Sequence, residues 1–304
     1  MSVNKNIIFC DTNQYDGNIN LHSLKKILKK KNIFVMLVPH MYGNPSSIKE
    51  IKKLCSKKKI FLIEDCAQSL GTSYNKKPLG SFGDAAIFSF GYSKNIDVGQ
   101  GGCVALNNKK IAKNVENLNN KLMTINIKEK NRLKKIYRNS YLAHIKNLNN
   151  MAFIKKKKFN LIKKLFINQN KVNWIKEVNL QIKRFEKIKK MRKKNYKFYE
   201  NIFKNRFKYM KIRNNTNPWR FNLLVSMKIR DKVVNKMWNE GIHANIMYPS
   251  VSNFLYGKKI NSKNSFMLEK KIINLPLDNK IMTNSYKKYF KSKIPQIINL
   301  RREN

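Results

Sequence analysis

The sequence predicts an α/β protein built on a mostly parallel sheet, and three observations predict it. Short apolar bursts rich in strand formers stand at residues 60–63, 85–88 and 102–106, each bounded by Gly, Ser or Asn. Runs of that length without polar alternation are how strands of a buried parallel sheet look. Between the earlier strands lie segments with apolar residues at helical spacing. Alternating strand and helix implies parallel strands joined by right-handed crossovers. Finally, polar residues sit just past the strand ends: Glu64-Asp65 after the first burst, Ser89 and Lys94 after the second. In open α/β sheets that edge is where ligands bind.

Taken in order, residues 7–11 (IIFCD) read as a short strand ending in an acid. Leu21, Leu24, Ile27 and Leu28 give residues 21–30 one apolar helix face, and 35–39 reads as the next strand. His40 to Gly43 then reads as a turn. Ser46-Ser47 are placed to cap a helix with Ile48, Ile51, Leu54 and Cys55 on one side. After the three bursts, residues 109–122 read as a helix. Residues 123–213 are basic and helix-leaning. There the stripe Phe185, Ile188, Met191, Tyr196, Tyr199 and Phe203 is ordinary helix burial, and the four lysines at 155–158 form a solvated run. From Trp219 the pattern changes. Residues 220–227 read as a strand, 230–240 as a helix stopped by Gly241, and 242–248 as a strand halted by Pro249. Residues 272–277 precede a last helix near 284–290. Three domains are expected: a large one at 1–122, a basic helical connector at 123–213, and a small α/β one at 214–304.

A chain of 304 residues that is 42% hydrophobic can bury one large core or two. No apolar run reaches the ~18 residues of a membrane span, and the first residues lack the apolar stretch of a signal peptide. Cys10, Cys55, Cys66 and Cys103 form no CxxC pair; they read as small core residues of a reduced, cytoplasmic protein, and no metal site is expected. The net charge of +48 invites a nucleic-acid reading. Against it, lysines outnumber arginines 55 to 10, and bidentate base contacts favour Arg. The charge is also spread along the chain, as on a solvated surface. A polycationic nucleic-acid binder therefore stands only as an alternative. The same charge attracts phosphate-bearing substrates.

The chemistry is read from spacing. A carboxylate (Asp65), an amide three residues on (Gln68), a hydroxyl (Ser89) and an amine five residues later (Lys94) converge on one sheet edge. A pyridoxal phosphate site needs such a set: an amine for the aldehyde, a carboxylate to keep the pyridine nitrogen protonated, and polar groups for the phenolic oxygen and the phosphate. The bland readings of the same residues are a solvated lysine, an Asp that caps a turn, and a Gln and Ser that serve local turns.

The block is Glu64-Asp65-Cys66-Ala67-Gln68, then Gly80-Ser81-Phe82-Gly83-Asp84, Phe88-Ser89-Phe90, Ser93-Lys94-Asn95 and Gly99-Gln100-Gly101-Gly102. In order and spacing it resembles the DegT/DnrJ/StrS-type sugar aminotransferase family, with its fold type I pyridoxal phosphate architecture. The likeness extends to Pro218-Trp219-Arg220-Phe221, Met247-Tyr248-Pro249 and Asn274-Leu275-Pro276, and is thin over 123–213. It implies Lys94 as the Schiff-base lysine, Asp65 as partner of the pyridine nitrogen, Gln68 facing the ring oxygen and Ser89 on the phosphate. It implies an aminotransferase acting on a nucleotide-linked keto-sugar with glutamate as donor, in surface polysaccharide or amino-sugar biosynthesis, as a homodimer. Sugar dehydratases of the family carry His at the Schiff-base position, and Lys94 argues against that branch. The family's Gly-Thr-Ala helix start that grips the phosphate, and its cross-subunit Asn motif, have no counterpart here. The expectation is therefore an N-terminally truncated large domain with an apolar sheet surface left open. Such a chain is a misassigned start, a catalytically impaired remnant, or one subunit of a split enzyme completed by a separate N-terminal polypeptide.

Overall fold

The computed structural model describes residues 6–121, parts of 126–139, 174–247 and 262–299. The lysines at 155–158 and the pair Tyr248-Pro249 lie outside the described residues. The chain divides into two compact units, Met1–Ala105 with Lys176–Asn304, and Leu106–Ile175.

Within the first unit, the N-terminal part alternates as the apolar spacing requires. Helix α1 (Leu21–Lys30) leads to β1 (Val35–Pro39), and α2 (Ile48–Lys57) leads to β2 (Phe61–Asp65). A small hairpin of β3 (Ser73–Tyr74) and β4 (Lys77–Pro78) precedes β5 (Ala85–Ser89) and β6 (Gly102–Leu106). The sheet order is β1-β2-β5-β6, with β1, β2 and β5 parallel. Leu24 and Leu28 of α1 and Ile48, Ile51 and Cys55 of α2 pack on Met36, Val38 and Leu62 and cover one face of the sheet. On β1 the alternate residues Val35 and Leu37 are about half exposed, at 54% and 53%. The open apolar surface expected from the sequence is present on that strand.

In the same unit, α4 (Trp174–Lys183) and the long α5 (Phe185–Phe203) precede β7 (Lys208–Tyr209) and β8 (Phe221–Leu224). Helix α6 (Arg230–Asn239), α7 (Lys263–Glu269), β9 (Ile272–Leu275) and α8 (Asn284–Asn299) follow. Strands β7-β8-β9 form an antiparallel sheet. Tyr199 and Phe203 of α5, Phe221 of β8 and Phe290 of α8 are wholly buried in its core. Aromatic contacts such as Tyr199–Phe221, with ring centres 5.4 Å apart, tie helix to sheet. In the second unit, α3 (Lys109–Asn120) carries the Asn108 side chain as its cap, accepting from Ile111 N.

Three local expectations fail. Residues 7–11 form no strand; Thr12 instead makes an isolated bridge with Ile19. Residues 242–247 form only the bridge Asn245–Asn274. Ser47 precedes α2 without a side-chain cap bond, and Ser46 donates its hydroxyl to Pro39 O at 2.8 Å.

Candidate functional site

Parallel register puts the chemistry on one edge. Asp65, the last residue of β2, pairs with Pro39 of β1 and Ile87 of β5, so Ser89 lies two residues further along the same direction. The strands end together, and the turns beyond them carry the polar groups.

A buried acid fixes that edge from below. Glu64 is 0% exposed, its carboxylate accepting from the backbone N–H of Gly80 (2.9 Å), Phe82 (2.6 Å) and Gly83 (2.7 Å). His40 Nδ1 accepts from Ser46 N, so its Nε2 carries the proton and donates to Glu64 at 3.1 Å. Burial alone raises a carboxyl, but the bonds from His40, Gly80 and Gly83 outweigh it and hold Glu64 below the usual range. Cys66 joins these two within 4.8 Å, its thiol pushed up by burial and by Glu64. With the ring and the carboxylate hydrogen-bonded to the fold, this trio is a structural brace.

Lys94 sits on a turn after β5. Lys94 N donates to Gly91 O (3.3 Å), and Ser93 takes a left-handed φ of 62° with its N–H on Asp97 Oδ2 at 2.8 Å. Buried Asn95 ties the turn to the 68–70 loop through Leu70 O at 3.0 Å. Gln181 of α4 grips Asp97 by both its N–H and its C=O. The Lys94 amine lies over the Trp219 ring, 5.0 Å from its centre. Burial lowers its proton affinity first; the Asp65 carboxylate acts in the opposite sense, and the Arg220 guanidinium adds to the lowering. The Lys94 amine thus feels the Asp65 charge. Asp65 Oδ1 also accepts from Ala67 N at 3.0 Å.

Gln68 accepts the N–H of Tyr42 on its Oε1 at 2.7 Å. That bond fixes the amide and leaves Nε2 as its free donor end. Ser89 Oγ accepts from Gly91 N at 3.3 Å and stays half-exposed.

Tyr42 itself was not singled out by the sequence. It holds φ 58°, uncommon for a bulky residue. Its carbonyl accepts from Trp219 N (2.9 Å), its hydroxyl donates to Met247 O (2.8 Å), and its ring stacks on Trp219. Trp219 in turn donates its indole N–H to Ser93 O at 2.7 Å, so the wall above Lys94 is bonded to the Lys94 turn. The next residue, Gly43, has φ 91°, and an added Cβ would meet Asn217 O at 2.4 Å. Gly43→Ala is expected to destabilise the fold by more than about 1 kcal/mol, read as a lowered thermal midpoint. An unchanged midpoint would mean the 43–217 contact is looser than described.

The family comparison now has its geometry. Residues 1–174 match the DegT/DnrJ/EryC1/StrS aminotransferase family. The chain belongs to that family. Among relatives of this aminotransferase family member, GDP-perosamine synthase of Escherichia coli O157:H7 is 35% identical over 102 residues, 34% of this chain and 28% of that protein. A GDP-4-keto-6-deoxy-D-mannose 3-dehydratase of Escherichia coli O55:H7 is 33% identical over 103 residues, 34% of this chain and 26% of that protein. The matches thus span little more than a quarter of these curated relatives. In fold, the chain is similar to Helicobacter pylori PseC, an aminotransferase involved in the biosynthesis of pseudoaminic acid. The TM-score is 0.73 at 17% identity, covering 96% of this chain and 73% of that one. The α/β, fold type I architecture read from the sequence stands.

Proposed function

We propose that this family member is a pyridoxal phosphate-dependent aminotransferase acting on a nucleotide-linked keto-sugar, with glutamate as amino donor, in surface polysaccharide or amino-sugar biosynthesis. The observation that carries the reading is the half-buried Lys94 amine, of lowered proton affinity, beside the Asp65 carboxylate at the C-terminal edge of a parallel sheet. The residues fit the cofactor. Lys94 supplies an amine whose proton affinity burial lowers, the direction a nucleophile needs. Asp65 supplies a negative charge for the ring nitrogen, Gln68 an amide donor for the ring oxygen, and Ser89 a hydroxyl for the phosphate. When bound, the cofactor supplies an electron sink for the carbon that loses its proton. Lys94 Nζ would be the group that takes up that proton, with the Trp219 ring lying over it. Lysine rather than histidine at position 94 favours amino transfer over dehydration, the reaction named for one of the matching relatives. We place the cofactor half in residues 1–122 and the small domain in 214–304, and propose a homodimer.

The test is chemical. Purified protein mixed with pyridoxal phosphate and reduced with borohydride should carry the label on the Lys94 peptide, among 55 lysines, by mass spectrometry. A label spread over surface lysines, with none at Lys94, would overturn the reading.

A further inference from the structure

Both chain neighbours of Lys94 are tied to the 217–219 segment. On one side, Ser93 O accepts the Trp219 indole N–H at 2.7 Å. On the other, the Asn95 amide donates to Leu70 O at 3.0 Å and to Gln68 O at a longer 3.4 Å. The same Leu70 carbonyl accepts from the Asn217 amide at 2.8 Å. A carbonyl oxygen has two lone pairs, so it can serve both amides at once. The bonds close a ring. It leaves Asn95, crosses Leu70 O to Asn217, and returns from Trp219 to Ser93, with Lys94 between its two ends.

The amides are committed to that carbonyl. Asn95 is 4% and Asn217 0% exposed, and neither amide oxygen has a hydrogen-bond partner among the described residues. Turned over, either amide would aim oxygen at oxygen, so Leu70 O fixes the orientation of both. The loop that carries Leu70 is itself held. Asn217 N donates to Thr72 Oγ1 at 2.8 Å, and the Thr72 hydroxyl donates to Gly43 O at 3.0 Å.

We propose that Asn95 and Asn217 are positioning residues of the site: through the shared Leu70 carbonyl they hold the Lys94 turn in register with the Trp219 ring and the Gln68 loop. The aminotransferase reading supplies only what the amine is held for. Both amides act through the backbone that flanks Lys94 rather than on its amine. With one of them cut away, the turn pivots on the remaining Trp219–Ser93 bond and the amine gains water. Burial is the first cause of its lowered proton affinity, with Arg220 acting in the same sense and Asp65 against. An amine that gains water therefore takes up its proton more readily.

The experiment uses the cofactor-free full chain. Competitive acetylation across pH, read on the Lys94 peptide by mass spectrometry, gives the pH midpoint of that amine. In Asn95→Ala and in Asn217→Ala the midpoint should rise by about half a pH unit or more. The double variant should rise no further than the larger single one, because either change opens the same ring. Lost stability alone would lower the thermal midpoint and leave the titration of Lys94 in the folded protein where it was. Capture of pyridoxal phosphate at Lys94, trapped with borohydride, should slow by about tenfold in each variant. If Asn95→Ala fails to fold, Asn217→Ala, outside the Lys94 turn, carries the same expectation. An unmoved Lys94 midpoint in the folded single variants, or shifts that add in the double, would overturn the proposal. Wild-type capture away from Lys94 would instead sink the aminotransferase reading, and the titration would still decide the role of the two amides.

Discussion

Glu64→Ala is expected to leave little folded protein. The change strips the acceptor from three backbone N–H groups, of part-buried Gly80 and Phe82 and of buried Gly83, and from the buried His40 ring. Each buried donor left without a partner costs about 1–3 kcal/mol, so the total is on the order of 5 kcal/mol. A typical domain has only about 5–15 kcal/mol in hand. Glu64→Gln keeps one acceptor but aims an NH2 at donors, and should fold with a lowered midpoint. The same pair gives a pH signature. A carboxyl held below its usual range stabilises the fold above its unfolded pKa, and that contribution is lost as pH falls through the folded value. The wild type should therefore lead Glu64→Gln at neutral pH and lose that lead below about pH 4. Thermal melts across pH 3–7 (roughly the carboxylate range) measure it. A constant gap would remove Glu64 as the charged brace.

Asp65→Asn should behave in the opposite way: little change in stability, large loss of chemistry. An asparagine Oδ1 can still accept from Ala67 N, so the local turn survives. What goes is the negative charge beside Lys94. Covalent attachment of the cofactor at Lys94 should persist, while the half-reaction with glutamate slows by about two to three orders of magnitude, the usual loss when a preorganised charge partner is removed. Lys94 should also lose protons more readily in the variant, since Asp65 is the group that raises its affinity. A half-reaction near the wild-type rate would mean that Asp65 does not face the ring nitrogen.

Much of the candidate site's placement was legible because its residues are local in the chain. Asp65, Gln68, Ser89 and Lys94 fall within thirty residues, and strand ends alone bring them to one edge. Helix α1 and strand β1 were legible to the residue, since Leu24 and Leu28, and Met36 and Val38, repeat with the right periods. The misses share one cause. Trp219 stood in the 218–221 likeness, but Tyr42 acts through it from far along the chain, and no spacing rule reports a contact between 42 and 219. Residues 7–11 and 242–247 look like strands by composition, yet find no neighbour with which to pair beyond single bridges. At Ser46-Ser47 the residue types suit a cap, but Ser47 makes no side-chain cap bond and the Ser46 hydroxyl serves Pro39 O instead.

The bond from Trp219 to Ser93 spans 126 positions. A growing chain that has just exposed the sheet edge therefore owns a lysine like any other, wet and fully charged. The Trp219 ring over its amine arrives only after the C-terminal third has left the ribosome and docked. Any cofactor captured before then would be held by an unfinished pocket, so maturation of the holoprotein should wait on the slow, long-range closure rather than on the early strands.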